Sequence, residues 1–184
     1  MFEESKDVEA SLYYLYMMAD GEVSNNEKRM FSKICKELAI DNDAKELIIE
    51  KCKNLVDKNP DILSLIVKEE IDEKSGQDRF GLRDLSRGGR IVWNLVNLGY
   101  ADAVYSEEER KIVRHLVDKW KVDAEIYQEF VDAADTMLVL TKKKEWVLST
   151  FSNGGERDKK LKEIDIAMER LLSDINLTIE ELTM

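Results

Sequence analysis

The chain has 184 residues, 43% of them hydrophobic and 36% charged, a balance that excludes a disordered polymer and allows one apolar core with at most a small appendage. Its formal net charge of -11, from 39 acidic against 28 basic residues, repels phosphate backbones and so excludes general nucleic-acid binding; cations and basic protein partners are easier guests. One proline and eight glycines leave long unpunctuated stretches, and the expected fold class is all-α.

Ser5 is placed to cap a first helix over about 6–19, whose apolar face carries Val8, Leu12, Leu15 and Met18. Asp20-Gly21 stops it. Ser24 with Glu27 three residues on predicts a capping box, in which each side chain satisfies a backbone N–H of the other residue. The second helix then runs to about Leu38, presenting Met30, Phe31, Ile34, Cys35 and Leu38. Asp41 or Asp43 caps a third helix ending near Asp57, and Pro60 suits the first turn of a fourth. Between about 73 and 89 the periodicity lapses into Ser-Gly-Gln-Asp-Arg-Phe-Gly and Ser-Arg-Gly-Gly-Arg, which predicts a loop or a broken helix. Helical pattern resumes at Ile91, Val92, Leu95, Val96 and Leu98, and Asp102 closes that segment. Ser106 caps a helix carrying Ile112, Val113, Leu116, Val117 and Trp120, and Asp123 caps the next, with Ile126, Tyr127, Phe130, Val131 and Ala134. Lys142-Lys143-Lys144 reads as a C-terminal helical turn, where cations suit the helix dipole. After Asn153-Gly154-Gly155 an amphipathic segment runs from Glu156 to about Ile175, and 178–184 form a short turn or a frayed end.

Cys35 and Cys52 both sit at core spacing and read as reduced, buried small hydrophobes. The N-terminal stretch lacks a basic region followed by an apolar run, and no apolar run approaches the roughly 20 residues a spanning helix needs. No secretory signal and no membrane span are expected, and the expected location is the cytoplasm.

Two segments repeat each other at an offset of 82 residues. Asp20 falls on Asp102, Ser24 on Ser106 and Glu27 on Glu109, and the register then holds through the next helix, with Met30 on Ile112, Phe31 on Val113, Ile34 on Leu116, Cys35 on Val117 and Leu38 on Trp120. The exit Ile40-Asp41 lies on Val122-Asp123. A repeated cap in register with a repeated core stripe predicts an internally duplicated bundle, with helix-loop-helix units over about 6–57 and 88–142 related by a pseudo-twofold axis. Residues 6–40 should then superpose on 88–122.

The segment Tyr-Met-Met-Ala-Asp-Gly-Glu-Val-Ser-Asn-Asn-Glu, residues 16–27, resembles the Ala-Asp-Gly-x-x-Ser-x-x-Glu signature of TerB-like tellurite-resistance proteins, and residues 100–109 are similar to its second copy. The resemblance covers about 6–140. It implies an all-helical fold with an internal dyad, a stress-associated role in tellurite resistance, and a metal-binding role for the acidic residues of the turns. By position these are Asp20 and Glu27 in the first copy, Asp102 and Glu109 in the second. Ala103 replaces the motif glycine in the second copy. The expected organisation is a helical domain over 1–142 and a helical extension over 143–184 that the resemblance does not explain.

The residues themselves leave two readings of the acidic turns open. Residues 20–27 reproduce positions 5 to 12 of an EF-hand calcium loop, but positions 1 and 3 would fall on Tyr16 and Met18, or on Leu98 and Tyr100, so a true EF-hand is rejected. Asp20, Glu22 and Glu27, with Asp102 and Glu109 in the second copy, could converge on a hard cation, calcium or magnesium; transition metals suit the turns less well, because neither contains His or Cys. Alternatively Asp20 makes an Asx turn, Gly21 supplies a positive φ, and Ser24 with Glu27 only caps the helix.

No constellation of residues reads as an active site. His115, the sole histidine, has no Ser or Cys motif beside it and is expected at the edge of a helix face. Trp93, Trp120, Trp146, Tyr13 and Tyr14 fit core or flanking positions. The stretch around Arg83, Arg87 and Arg90 is a candidate anion- or partner-binding loop, although the Gly-Lys-Ser/Thr ending of a P-loop is missing. The expected function is a non-enzymatic stress-associated protein that holds divalent cations at its acidic turns and recruits protein partners. The alternative is an interaction module whose acidic turns are only caps.

Overall fold

The computed structural model describes residues 5–70, 85–103 and 105–182. They form eight α-helices, α1 (Ser5–Met17), α2 (Asn25–Glu37), α3 (Asn42–Lys58), α4 (Ile62–Glu70), α5 (Leu85–Gly99), α6 (Glu107–Trp120), α7 (Ala124–Thr150) and α8 (Gly155–Glu181), with no strand among the described residues. The fold is all-α, as the scarcity of proline and glycine predicts.

The core is built around α1 and α5. Every residue from Val8 to Met17 is buried, so α1 is apolar on all sides and enclosed by α2, α3, α4, α5 and α6. Helix α5 is buried nearly as fully, and contacts α1, α2, α6, α7 and α8. The polar exceptions on α1 are satisfied locally. Ser11 Oγ donates to the Val8 carbonyl at 2.7 Å, and buried Glu9 accepts from Tyr13 Oη and from Arg87 Nη2, both at 3.0 Å. Asn94 Nδ2 donates to the same Tyr13 hydroxyl at 3.1 Å, so a buried polar chain pins α1 to α5. Burial pushes the Tyr13 phenol well above its ordinary range, with the Glu9 carboxylate adding to the effect.

Local boundaries differ from expectation at four places. Residues 85–89, expected in a loop, are the first turns of α5. Gly88 and Gly89 are buried there, and a Cβ on Gly89 would come within 2.5 Å of Leu182 Cδ1, so the glycine admits the end of α8. Pro60 lies outside α4; Asp61 does the capping instead, accepting from the Ser64 N–H at 3.1 Å. Lys142-Lys143-Lys144 lies inside α7, not at a helix end, and α8 continues to Glu181 instead of fading near Ile175.

Helices α7 and α8 are each 27 residues long and form an antiparallel hairpin about 40 Å in length, at 1.5 Å per residue. Its base joins the core through Phe130, Ala133 and Ala134 on α7 and Ile175 and Ile179 on α8. Beyond that, Val147 and Ile164 are buried, and Lys144 Nζ meets Asp165 Oδ1 at 2.6 Å across the two helices. Position 142/143 falls inside α7, in its C-terminal half. Trp93 and Trp120 are core residues, whereas Trp146 on the hairpin is 55% exposed with its ring set edge-on to Phe151. Among the described residues no helix is long and apolar enough to cross a membrane.

Candidate functional site: two acidic turns side by side

The turn from α1 to α2 and the turn from α5 to α6 share their local geometry. Both capping boxes are complete. The Ser24 N–H donates to Glu27 Oε2 at 2.7 Å while the Glu27 N–H donates to Ser24 Oγ at 3.1 Å; the Ser106 and Glu109 distances are 2.8 and 3.2 Å. The two cap serines have φ/ψ of -67/163 and -68/161. Gly21 has φ 92 and Ala103, at the corresponding position, φ 70. Each closes its turn through its N–H, Gly21 to the Met18 carbonyl and Ala103 to the Tyr100 carbonyl, both at 3.1 Å. The helix exits also correspond, with Ala39 and Lys121 both at φ 54, and with Ile40 and Val122 donating back to the carbonyls of Cys35 and Val117. Asp20 Oδ1 accepts from the Glu22 N–H at 3.1 Å, an Asx turn, and the Glu22 side chain stands exposed.

The two turns also face each other electrostatically. Glu27 and Glu109 are each only 3% exposed although both are acidic. Burial is the main cause that raises the Glu27 carboxyl; its bonds with Ser24 oppose the shift, and the Asp20 and Asp102 carboxylates add to it. Glu109 is pushed up to about 7, again chiefly by burial, against the Ser106 bonds and with help from Asp20 and Glu27. Each glutamate therefore feels carboxylates of the opposite turn, which brings Asp20, Glu27, Asp102 and Glu109 into one field of negative charge. The oxygens of this field suit a hard cation better than a soft one. Among the described residues, no three Asp, Glu, Cys or His side chains stand close enough together to form a ready-made metal cage.

Sequence reasoning passed over Tyr16 here. It lies in the last turn of α1, is 0% exposed, and its hydroxyl meets no hydrogen-bond partner among the described residues. That hydroxyl packs against the end of α5: a Cβ on Gly99 would lie 2.5 Å from it and 2.6 Å from the Tyr105 ring. Burial first, then the charges of Glu109 and Glu27 with Tyr105 and Tyr127 beside them, keep the phenol protonated well above its usual range. The repeat carries no signal for it, because polar and apolar residues face each other at several aligned positions of this helix, Tyr13 on Leu95, Leu15 on Asn97 and Met18 on Tyr100 as well as Tyr16 on Leu98.

The arginine stretch is arranged differently from a loop. Arg83 lies outside the described residues. Arg87 projects from α5 to form the ion pair with buried Glu9, and Arg90 is exposed on the same helix.

A search of curated proteins and one of solved structures each return no match. A family model described as tellurite resistance protein TerB matches residues 7–130, a span that takes in both acidic turns, α1 from its third residue and all of α2 to α6. With well over half of its length matched by that model, and with the all-helical fold in place, the chain belongs to the TerB family.

Proposed function

We propose that this TerB-family protein is a non-enzymatic binding protein of the tellurite-resistance type, and that the field between its two acidic turns takes a hard divalent cation such as calcium or magnesium. One observation carries the reading: Glu27 and Glu109 are buried carboxylates from separate turns, each acted on by charge from the other turn. Carboxylates gathered in a poorly hydrated place raise one another's cost of ionisation, and a small cation offsets that cost by supplying positive charge. Each capping bond engages Oε2, which leaves Oε1 of both glutamates available, with Asp20 and Asp102 as the outer carboxylates. The cation would tie the α1–α2 turn to the α5–α6 turn and so brace the centre of the bundle.

The test is calorimetric titration of the whole chain with calcium and with magnesium, paired with thermal melting. A ligand bound only by the folded state raises the melting temperature by mass action. Expected are measurable binding and a rise in melting temperature at millimolar cation, both reduced in the Asp20→Asn/Asp102→Asn double variant. Silence in the parent, or an unchanged response in the double variant, would remove the cation from the account.

A second reading has its own support. A groove of about 430 Å³ runs between α2, α5 and α7, with Met30, Tyr100, Met137 and Leu138 along it and Arg29 and Lys33 at its edge. In that reading the acidic turns are caps and the protein acts by holding a protein partner, and it takes first place if the cation titration fails.

A further inference from the structure

The cation reading leaves open whether each turn holds its own ion or both serve one. We infer that the Tyr16 hydroxyl, together with the Oε1 atoms of Glu27 and Glu109, forms a single cation site shared by the two turns, with Tyr16 as its neutral ligand. This inference rests on the cation-binding reading above and goes beyond it in stoichiometry and in the ligand it assigns.

Three observations on Tyr16 support it. Its hydroxyl is fully buried and meets no partner among the described residues, and a buried polar group without a hydrogen bond is costly unless something else engages it. The side chain starts on the last turn of α1 and ends against Gly99 at the last turn of α5, so it spans the gap between the two acidic turns. The glycine at 99 leaves the room that this approach requires, because a Cβ there would overlap both the Tyr16 hydroxyl and the Tyr105 ring.

The symmetry of the turns argues for one ion. Caps, turn carbonyls and buried glutamates occur twice in corresponding places, but an unpartnered buried tyrosine hydroxyl occurs once among them: Leu98 stands at the place of Tyr16, and the Tyr105 hydroxyl of the second turn is engaged by Tyr127 at 3.3 Å. Of two independent sites, the second would have no unengaged tyrosine hydroxyl; one shared site uses both glutamates and the Tyr16 hydroxyl. Two carboxylates, one neutral oxygen and water make a set typical of hard divalent cations, and a set with only two carboxylates is compatible with the absence of three gathered acidic side chains among the described residues.

The experiment is titration of the full chain with calcium chloride, followed by calorimetry and by the near-ultraviolet difference spectrum of tyrosine. Variants are Glu27→Gln, Glu109→Gln and Tyr16→Phe; glutamine keeps an oxygen for the cap, and phenylalanine keeps the ring while removing an unpartnered hydroxyl. Expected are one calcium per chain, loss of essentially all binding in either glutamine variant, and about tenfold weaker binding in Tyr16→Phe with the loss of a tyrosine difference signal. Two calcium ions per chain, with each glutamine variant abolishing one, would overturn the shared site while leaving the cation reading standing. One calcium per chain with unchanged affinity and spectrum in Tyr16→Phe would overturn the role of Tyr16. No calcium binding in the parent would overturn the cation reading itself and this inference with it. Urea denaturation of the metal-free variants separates a lost ligand from a lost fold.

Discussion

Ala103 is one of three residues with a Cβ held at positive φ among the described residues. It adopts φ 70 where its counterpart Gly21 adopts φ 92, and a left-handed backbone costs a residue with a Cβ roughly 1–2 kcal/mol. Ala103→Gly removes that strain, at the expense of added freedom in the unfolded chain, and should stabilise the protein by about 0.5–1 kcal/mol in urea denaturation. Gly21→Ala should do the reverse by a similar amount even though no atom obstructs the new Cβ, because the penalty there is conformational. Equal stability of both variants and the parent would mean that the turns relax freely. The cap serines give a parallel test. Ser24→Ala and Ser106→Ala each delete the acceptor for a first-turn N–H and should cost about 0.5–2 kcal/mol, with or without calcium present. A loss that appears only with calcium would show that the serines act through the cation.

At the scale of elements, what could be read in advance followed how local the cause was. Both capping boxes, the Asx turn at Asp20 and the positive φ at Gly21 are settled within about eight residues of chain, and the sequence pattern anticipated each of them. The start of α5 escaped because its cause is distant: Gly88 and Gly89 lower local helix propensity, yet Gly89 is where the end of α8 lands. The extent of α7 escaped for a similar reason. Three lysines in a row suggest a helix end, whereas pairing with α8, including the Lys144–Asp165 bridge, carries the helix onward. Tyr16 was hidden in plain periodicity, since nothing in a helical stripe tells a core tyrosine with a satisfied hydroxyl from one without. The tertiary role of Gly89 is testable. Gly89→Val should force the Leu182 end of α8 away and cost about 1–3 kcal/mol, while Gly155→Ala, in open space at the start of α8, should be neutral or stabilising by up to about 1 kcal/mol. The denaturation midpoint of Gly89→Val should fall while that of Gly155→Ala holds or rises; an unchanged midpoint in Gly89→Val would mean that α8 does not rest on α5 through this contact.

For the whole molecule, the acidic field makes stability depend on pH in a direction opposite to that of most proteins with paired carboxylates. The Glu109 carboxyl titrates near its ordinary value of 4.5 when unfolded but at about 7 when folded, so the folded state holds this proton more tightly. Between those values the folded chain binds more protons at this group than the unfolded chain does, and the slope of stability with pH is negative. The contribution is fully present below about pH 4.5 and is lost as pH rises through about 7; Glu27 is shifted in the same direction. Other carboxylates titrate in this range too, so the comparison that isolates Glu109 is parent against Glu109→Gln in the presence of a chelator. Glutamine is neutral at every pH and still offers an oxygen to the Ser106 N–H. The variant should therefore match the parent near pH 4.5 and exceed its stability by on the order of 1–3 kcal/mol near pH 8, with the gap opening between those limits. Saturating calcium should close the gap in favour of the parent, because a bound cation turns the ionised carboxylate from a cost into a ligand. Curves that run parallel from about pH 5 to about pH 8 would show that Glu109 ionises as it does in the unfolded chain, and that the two acidic turns do not press on each other.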